Sequence, residues 1–397
     1  MIPVIVIGCD SNGYGVIRSL AKFNRRLKIV GVDFSTKSPG LFSKYLFNKR
    51  IISDPNINED KTFIDLINLG KEFKEKPVVI ITSDIFLSLF NKNREELSNY
   101  FLFNIPSKEL LTKLLDKRKQ YHIISNLGVH LPKTIYLSKN DSLSEINNIS
   151  YPLFIKGAFP HIWKQYFIDK GFVVDNQYEL EKKIEELARL NLDLVIQELI
   201  VGPNCNHYKV SAFYSKSGEP KLFFTTQKVR QFPTDFGVGS YMKSKRVEEL
   251  LAEGKRIFDA LHYTGIGSIE FKKDERDGKF KFIELNPRMW QQNYQATLAG
   301  LNFAEYYYKD CIDEILEYKD DFLENITYMD VVNDFQSFVV NKKVTGESFY
   351  DWTKQLFNAD SYSFFDIKDI KPILYSSNFG LINIKYIKKF FRRILMV

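Results

Sequence analysis

A chain of 397 residues that is 44% hydrophobic and 26% charged has globular proportions and enough length for two or three domains. Its net charge of +7 suits anionic small ligands, but the Lys and Arg residues read as spread along the chain except at its end, which argues against a nucleic-acid binder. Three isolated cysteines and five scattered histidines show neither a disulfide framework nor zinc-ligand spacing, and they fit a reducing compartment.

The first ten residues, MIPVIVIGCD, read as a strand and not as a signal peptide. No apolar run approaches the ~18 residues of a membrane span, so a soluble, cytoplasmic protein is expected. Strands at Pro3–Gly8, Ile29–Asp33 and Val78–Thr82 alternate with helices at Val16–Phe23 and Phe63–Phe73. Such alternation predicts a parallel sheet with helices on its faces. Ser107 reads as the N-cap of a helix running toward Asn126, Tyr151–Lys156 as a strand, and Asn176 with Glu179 as a capping box. Leu194–Ile200 is a further strand, bounded by Gly202-Pro203.

The segment Gly267–Arg288 is the most informative. Strand Gly267–Lys272, the turn Arg276-Asp277-Gly278-Lys279 and strand Phe280–Asn286 predict a hairpin. Side chains alternate along a strand, so Glu284 and Asn286 project together, roughly 6.6 Å apart, and Glu270 on the partner strand can approach the same face. Two carboxylates and an amide oxygen form a hard-oxygen set of the kind Mg²⁺ takes. Arg288 follows directly and could hold a phosphate or carboxylate bidentately. On spacing alone, an exposed hairpin with solvated charges fits as well.

These residues also carry a resemblance. Gly267-Ser-Ile-Glu-Phe-Lys-Lys-Asp274, Phe282-Ile-Glu-Leu-Asn-Pro-Arg-Met-Trp290 and Ala299-Gly-Leu-Asn302 resemble the catalytic end of the ATP-grasp superfamily. The similarity is greatest to its carboxylate–amine ligases of the D-aspartate ligase-like branch. Asp116-Lys117, Gly128–Thr134, Tyr151–Lys156 and Gln197–Gly202 follow in the expected order, and the resemblance spans about residues 1–310.

It implies an α/β and α+β chain with the ATP-grasp fold behind an N-terminal Rossmann-like domain. The expected parts are 1–106, a central subdomain 107–200, a subdomain 201–330 with the metal and acceptor site, and an appendage 331–397, with ATP between the middle two. It further implies that Lys117 and Lys156 reach ATP phosphates, that Glu198, Leu199 and Ile200 line the adenine, and that Glu270, Glu284 and Asn286 hold Mg²⁺. Two ions are expected, with Mn²⁺ an alternative. Lys228 and Arg230, at alternate positions of one strand, would share a face and join Arg288 at the acyl phosphate. The segment Pro203-Asn-Cys-Asn-His207 departs from the family in lacking an acidic ribose contact, and Gly157–Lys164, with Trp163, is bulkier than the usual phosphate loop.

The expected activity is ATP-dependent ligation of a carboxylate to an amine, releasing ADP and phosphate. The substrates would be small molecules, with an oligomer left open. Two alternatives stand beside it. Gly8, Gly13, Gly15 and Asp33 approach a dinucleotide fingerprint, though Arg18 replaces its third glycine, so an NAD(P)-dependent oxidoreductase is one. A catalytically silent nucleotide-binding module is the other. Arg18, Ser83 and Asp84 are expected substrate contacts at the same sheet edge. The tail Ile387–Leu395 places apolar residues at helical spacing between basic pairs, a pattern of docking helices and also of helices lying on anionic membranes.

Overall fold

A computed structural model describes residues 1–138, 149–158, 163, 166–167, 171–233 and 237–376. It resolves into two compact units, Met1–Leu127 with Asn204–Glu270 and Glu284–Val397, and Gly128–Pro203 with Phe271–Ile283. The tail Ile387–Leu395 lies outside the described residues.

The first unit opens with four parallel strands, β1 (Val4–Ile7), β2 (Ile29–Asp33), β3 (Asn48–Ile51) and β4 (Val78–Ile81), in the order β3-β2-β1-β4. The period of two divides their side chains between separate cores. Val4, Val6, Ile29, Val78 and Ile80 face one, which includes helix Phe303–Cys311, whereas Ile5, Ile7, Val30, Val32, Val79 and Ile81 face the other. Burial on both faces explains why β1, β2 and β4 are apolar almost throughout, whereas β3, Asn-Lys-Arg-Ile at the sheet edge, is largely exposed.

The expected helix from Ser107 to Asn126 is two helices, Lys108–Leu115 and Lys117–Asn126. Asp116 is extended between them and caps the second by accepting from the Arg118 and Lys119 N–H groups.

The second unit carries β5 (Thr134–Leu137), β6 (Leu153–Gly157), β7 (Phe172–Val174) and β8 (Leu194–Glu198), an antiparallel sheet in the order β5-β8-β6-β7. Helix Gln177–Ala188 covers it with Leu180, Ile184 and Leu187, and Asn176 caps that helix at the Glu179 N–H as expected. Trp163 packs in this core against Phe167 and Phe172.

The remaining strands are β9 (His207–Tyr214), β10 (Pro220–Phe232), β11 (Val238–Ser244), β12 (Gly265–Lys273), β13 (Phe280–Asn286), β14 (Thr327–Met329) and β15 (Ser361–Tyr362). They form a seven-stranded sheet in the order β13-β12-β9-β10-β11-β14-β15. The tip of the β12–β13 hairpin belongs to the second unit, where Gly278 supplies the left-handed residue of the turn (φ +70). Asp274, fully buried, holds that tip by ion pairs to Arg276 and Lys281, both 2.7 Å.

The residues after 330 carry helix Val331–Thr345 and β15, which pairs with β14. β14 and β15 extend the large sheet, and helix Val331–Thr345 ties onto β10 and β11 through Asp334.

Candidate active site

Gln120 organises the strand that bears the expected metal ligands. Fully buried, it donates to the Leu114 and Leu285 carbonyls (2.7 and 2.8 Å) and accepts from the Leu285 N–H at 3.0 Å. That clamp seats Leu285 in the core, and strand alternation turns Glu284 and Asn286 to the opposite face. There Asn286 donates to Glu284 Oε1 at 2.8 Å, and Lys117 Nζ lies 3.0 Å from Oε2.

Glu270 sits between two buried lysines, with Lys209 Nζ 3.2 Å from one oxygen and Lys228 Nζ 3.5 Å from the other. Burial on its own would raise the Glu270 pKa. The two ammonium groups outweigh it, Lys209 first, and hold the carboxyl well below the usual carboxylate range. At Lys228 burial dominates and lowers the ammonium pKa, against the attraction of Glu270 and, more weakly, of Glu284. Glu270 is thus paired with Lys209 and Lys228, and Glu284 with Asn286 and Lys117. Both carboxylates act on the Lys228 charge, and the amide is bonded to one of them.

Two carboxylates and an amide oxygen fit a hard cation such as Mg²⁺. The Asn286 amide now turns its NH₂ to Glu284, so ligation requires its oxygen to rotate inward. Among the described residues no three His, Cys, Asp or Glu side chains group as a metal site.

Arg288 forms a bidentate pair with Asp84, at 2.6 and 3.1 Å. Both line a cavity of about 540 Å³ at the carboxyl end of the parallel sheet, together with Asp10, Asn12, Lys37 and Ser83. Two of the three expected substrate contacts thus meet there. The Ser83 Oγ has no hydrogen-bond partner among the described residues. Burial raises the Asp10 carboxyl pKa above its ordinary value; the Ser11 N–H opposes this and Asp33 adds to it.

The third expected contact, Arg18, lies elsewhere. It is buried between the rings of Tyr14 and Tyr294, each 4.3 Å from its guanidinium carbon, and donates to the Tyr362 carbonyl at 3.0 Å. Its position inside helix Ser11–Phe23, one turn beyond Tyr14, aims it into the packed interior.

Lys228 and Arg230 do not act together as expected. The β10–β11 register shifts between them, and the bulge gives them different partners. Arg230 is buried, pairing with Asp334 at 2.7 Å and Glu347 at 3.0 Å, so its guanidinium is engaged by the fold.

In the second unit Lys156 lies at the half-buried end of β6. Glu198 accepts from the Ser150 N–H at 2.8 Å, and the N–H groups of Glu198 and Leu199 donate to the Lys133 and Pro152 carbonyls. Those two N–H groups are therefore engaged in the fold itself, and Ile200 follows them half-buried.

Asp33, the acid of the dinucleotide reading, lines the same cavity but is held by the backbone. The Asp33 carboxylate accepts from the Cys9 N–H at 2.6 Å and the Ser35 N–H at 3.1 Å. Gly13 and Gly15 serve close packing, since a Cβ on either would meet the Gly8 carbonyl oxygen at 2.0 Å or the Asn293 side chain at 2.6 Å.

Lys209 and Gln120 were not legible as site residues. For Lys209 a signal existed, because it is the lone charged side chain within the eight residues His207–Tyr214, apart from the titratable His207. Gln120 offered none.

The two-unit architecture and the hairpin site define the ATP-grasp fold, and the resemblance to its carboxylate–amine ligases is borne out. Residues 239–309 match the family model of the carbamoyl-phosphate synthase L chain, ATP binding domain. The D-aspartate ligase of Enterococcus faecium (strain Aus0004) is 24% identical over 324 residues, 77% of this chain and 76% of that protein. Among solved structures, the N5-carboxyaminoimidazole synthetase of Staphylococcus aureus superposes with a TM-score of 0.64 at 14% identity, covering 88% of this chain and 86% of that one. The L-amino acid ligase of Bacillus licheniformis gives 0.59 at 16% identity, over 80% and 75%. These relatives fit an ATP-dependent enzyme that joins a carboxylate to an amine. Among the described residues no helix is long and apolar enough to cross a membrane.

Proposed function

We propose that the chain phosphorylates a substrate carboxylate with ATP and passes the resulting acyl group to an amine, releasing ADP and phosphate. The observation that supports this reading is the pair of charged clusters on the β12–β13 hairpin, Glu270 with the buried Lys209 and Lys228, and Glu284 with Asn286 and Lys117. Glu270, Glu284 and Asn286 would hold a divalent cation, which would supply countercharge for the phosphate oxygens. Lys228 and Lys209, desolvated and fixed by Glu270, contribute preorganised positive charge where the transferring phosphoryl group gains negative charge. Lys117 and, in the second unit, Lys156 are the proposed phosphate-binding lysines, and Glu198–Ile200 the adenine segment.

Arg288 is the group that meets the substrate carboxyl. Its bidentate hold on Asp84 presents the guanidinium to the 540 Å³ cavity already oriented, and a substrate carboxylate can replace Asp84 fork to fork. Asp84, freed, and Asp10 then offer negative charge to the attacking amine. No protein nucleophile is required, because the amine itself opens the acyl phosphate.

Phosphate release is the direct assay, with ATP, Mg²⁺ and a pool of amino acids and carboxylates. Glu284→Gln should lower turnover at least a hundredfold, the scale of several kcal/mol of lost charge stabilisation, with the circular dichroism unchanged. Undiminished turnover in that variant would remove the proposal. Binding of NAD without any ATP turnover would favour the oxidoreductase alternative.

A further inference from the structure

Between Asp10 and Asp54 the sequence holds nine Lys and Arg residues and a single acid, Asp33. That net +8 exceeds the +7 of the whole chain, so the rest of the protein is slightly acidic. The charge is not evenly spread after all. Arg18 and Asp33 are buried, whereas Lys22, Arg25, Arg26, Lys28, Lys44 and Lys49 are exposed.

The fold gathers these groups around one set of aromatic rings. Arg25 and Lys44 lie over Tyr45 at 5.2 and 5.6 Å, Lys28 over Phe47 at 5.1 Å, and Lys49 over Phe42 at 4.5 Å. Three acids lie nearby: Glu72 pairs with Arg50, Asp369 accepts from the Ser43 hydroxyl and the Lys44 N–H, and Asp366, close enough to act on Tyr45, accepts from the Lys368 N–H.

Beside this face runs an apolar ridge. Phe42 stacks on Tyr375 with centroids 3.6 Å apart, which docks the short helix Lys371–Tyr375 here. Ile367 is 78% exposed, Ile370 52% and Leu374 57%, while Phe47, within the basic cluster, is 66% exposed. Exposed aliphatic side chains bordered by lysines are the surface of an interfacial protein.

We propose that this face binds the anionic surface of a lipid membrane. The position and composition of the following segment favour that occupant. The described chain stops at Ser376, next to Tyr375 on this same face, and residues 377–397 add five basic residues and no acid. The segment and this face carry charge of the same sign, and one extended anionic partner answers both. A nucleic acid would satisfy the charge but leave Ile367, Ile370 and Leu374 against a polar phosphodiester backbone. A bilayer satisfies both, with headgroups at the lysines and the acyl boundary at the ridge.

Co-sedimentation of the full-length protein with vesicles tests this. Phosphatidylcholine vesicles containing phosphatidylglycerol should pull the protein down, vesicles of phosphatidylcholine alone should not, and added salt should release it. The triple variant Lys28→Gln, Lys44→Gln, Lys49→Gln should bind about a hundredfold more weakly, as expected for three charges near an anionic surface, with phosphate release unchanged. Ile370→Ser with Leu374→Ser should weaken binding even at low salt. Wild-type protein that ignores anionic vesicles, a triple variant that binds them as tightly as wild type, or an oligonucleotide that strips the protein from them would each overturn the proposal.

Discussion

Replacing Asp334 by leucine tests whether Arg230 is an anchor or a catalytic group. The Asp334 carboxylate is fully buried and accepts four hydrogen bonds: from Arg230 Nε and Nη2 at 3.0 and 2.7 Å, from Ser240 Oγ at 2.9 Å and from Trp352 Nε1 at 2.9 Å. Removing it leaves a buried guanidinium with Glu347 as its ion-pair partner, and two further donors lose this acceptor. Breaking a buried pair from one side costs about 3–5 kcal/mol, because the remaining charge stays desolvated. Arg230→Met combined with Asp334→Leu removes both charges and should recover most of that loss. Urea unfolding followed by tryptophan fluorescence provides the readout, since Trp352 donates directly to Asp334. A single-variant loss below about 1 kcal/mol, the scale of an exposed ion pair, would refute the reasoning. Turnover in the refolded double variant is expected to persist, and its disappearance would return Arg230 to the chemistry.

Two further outcomes follow from the site. Burial lowers the Lys228 pKa, so its protonated form is lost at a lower pH than an ordinary lysine's ~10.4, and the alkaline limb of the pH–rate profile should fall there. Lys228→Arg should carry that limb upward, and an unmoved limb would assign it to another group. Gly13→Ala would place a Cβ 2.0 Å from the Gly8 carbonyl oxygen, a backbone atom that cannot swing away, so a loss of about 1–3 kcal/mol is expected in thermal unfolding. An unchanged midpoint would show that helix Ser11–Phe23 can shift at little cost.

What could be read in the sequence was what neighbours along the chain decide. Strands Ile29–Asp33 and Phe280–Asn286 have the expected bounds, and Asn176 caps where its side chain can reach the Glu179 N–H. Glu284 and Asn286 share a face because alternation is local. Glu270 needed only its hairpin partner. The misread residues are those whose partners are remote. Arg18 meets Tyr362 and Arg230 meets Asp334, separations of 344 and 104 residues. No local pattern marks a buried arginine as structural when its acceptors come from another segment. The basic face escaped notice for a related reason: its lysines are divided among a helix end, a loop and an edge strand, and only the fold assembles them.

The Arg18 clamp has a consequence for how the polypeptide becomes whole. Residues near the start supply a cation whose acceptors are the carbonyls of Tyr362 and Ser363, and Tyr14 likewise donates to the Asp369 carbonyl. During synthesis the amino-terminal sheet emerges with this cation lacking its acceptors, which follow 344 residues later. Chains ending before Tyr362 would lack the carbonyls that accept from this guanidinium, and they should unfold more readily.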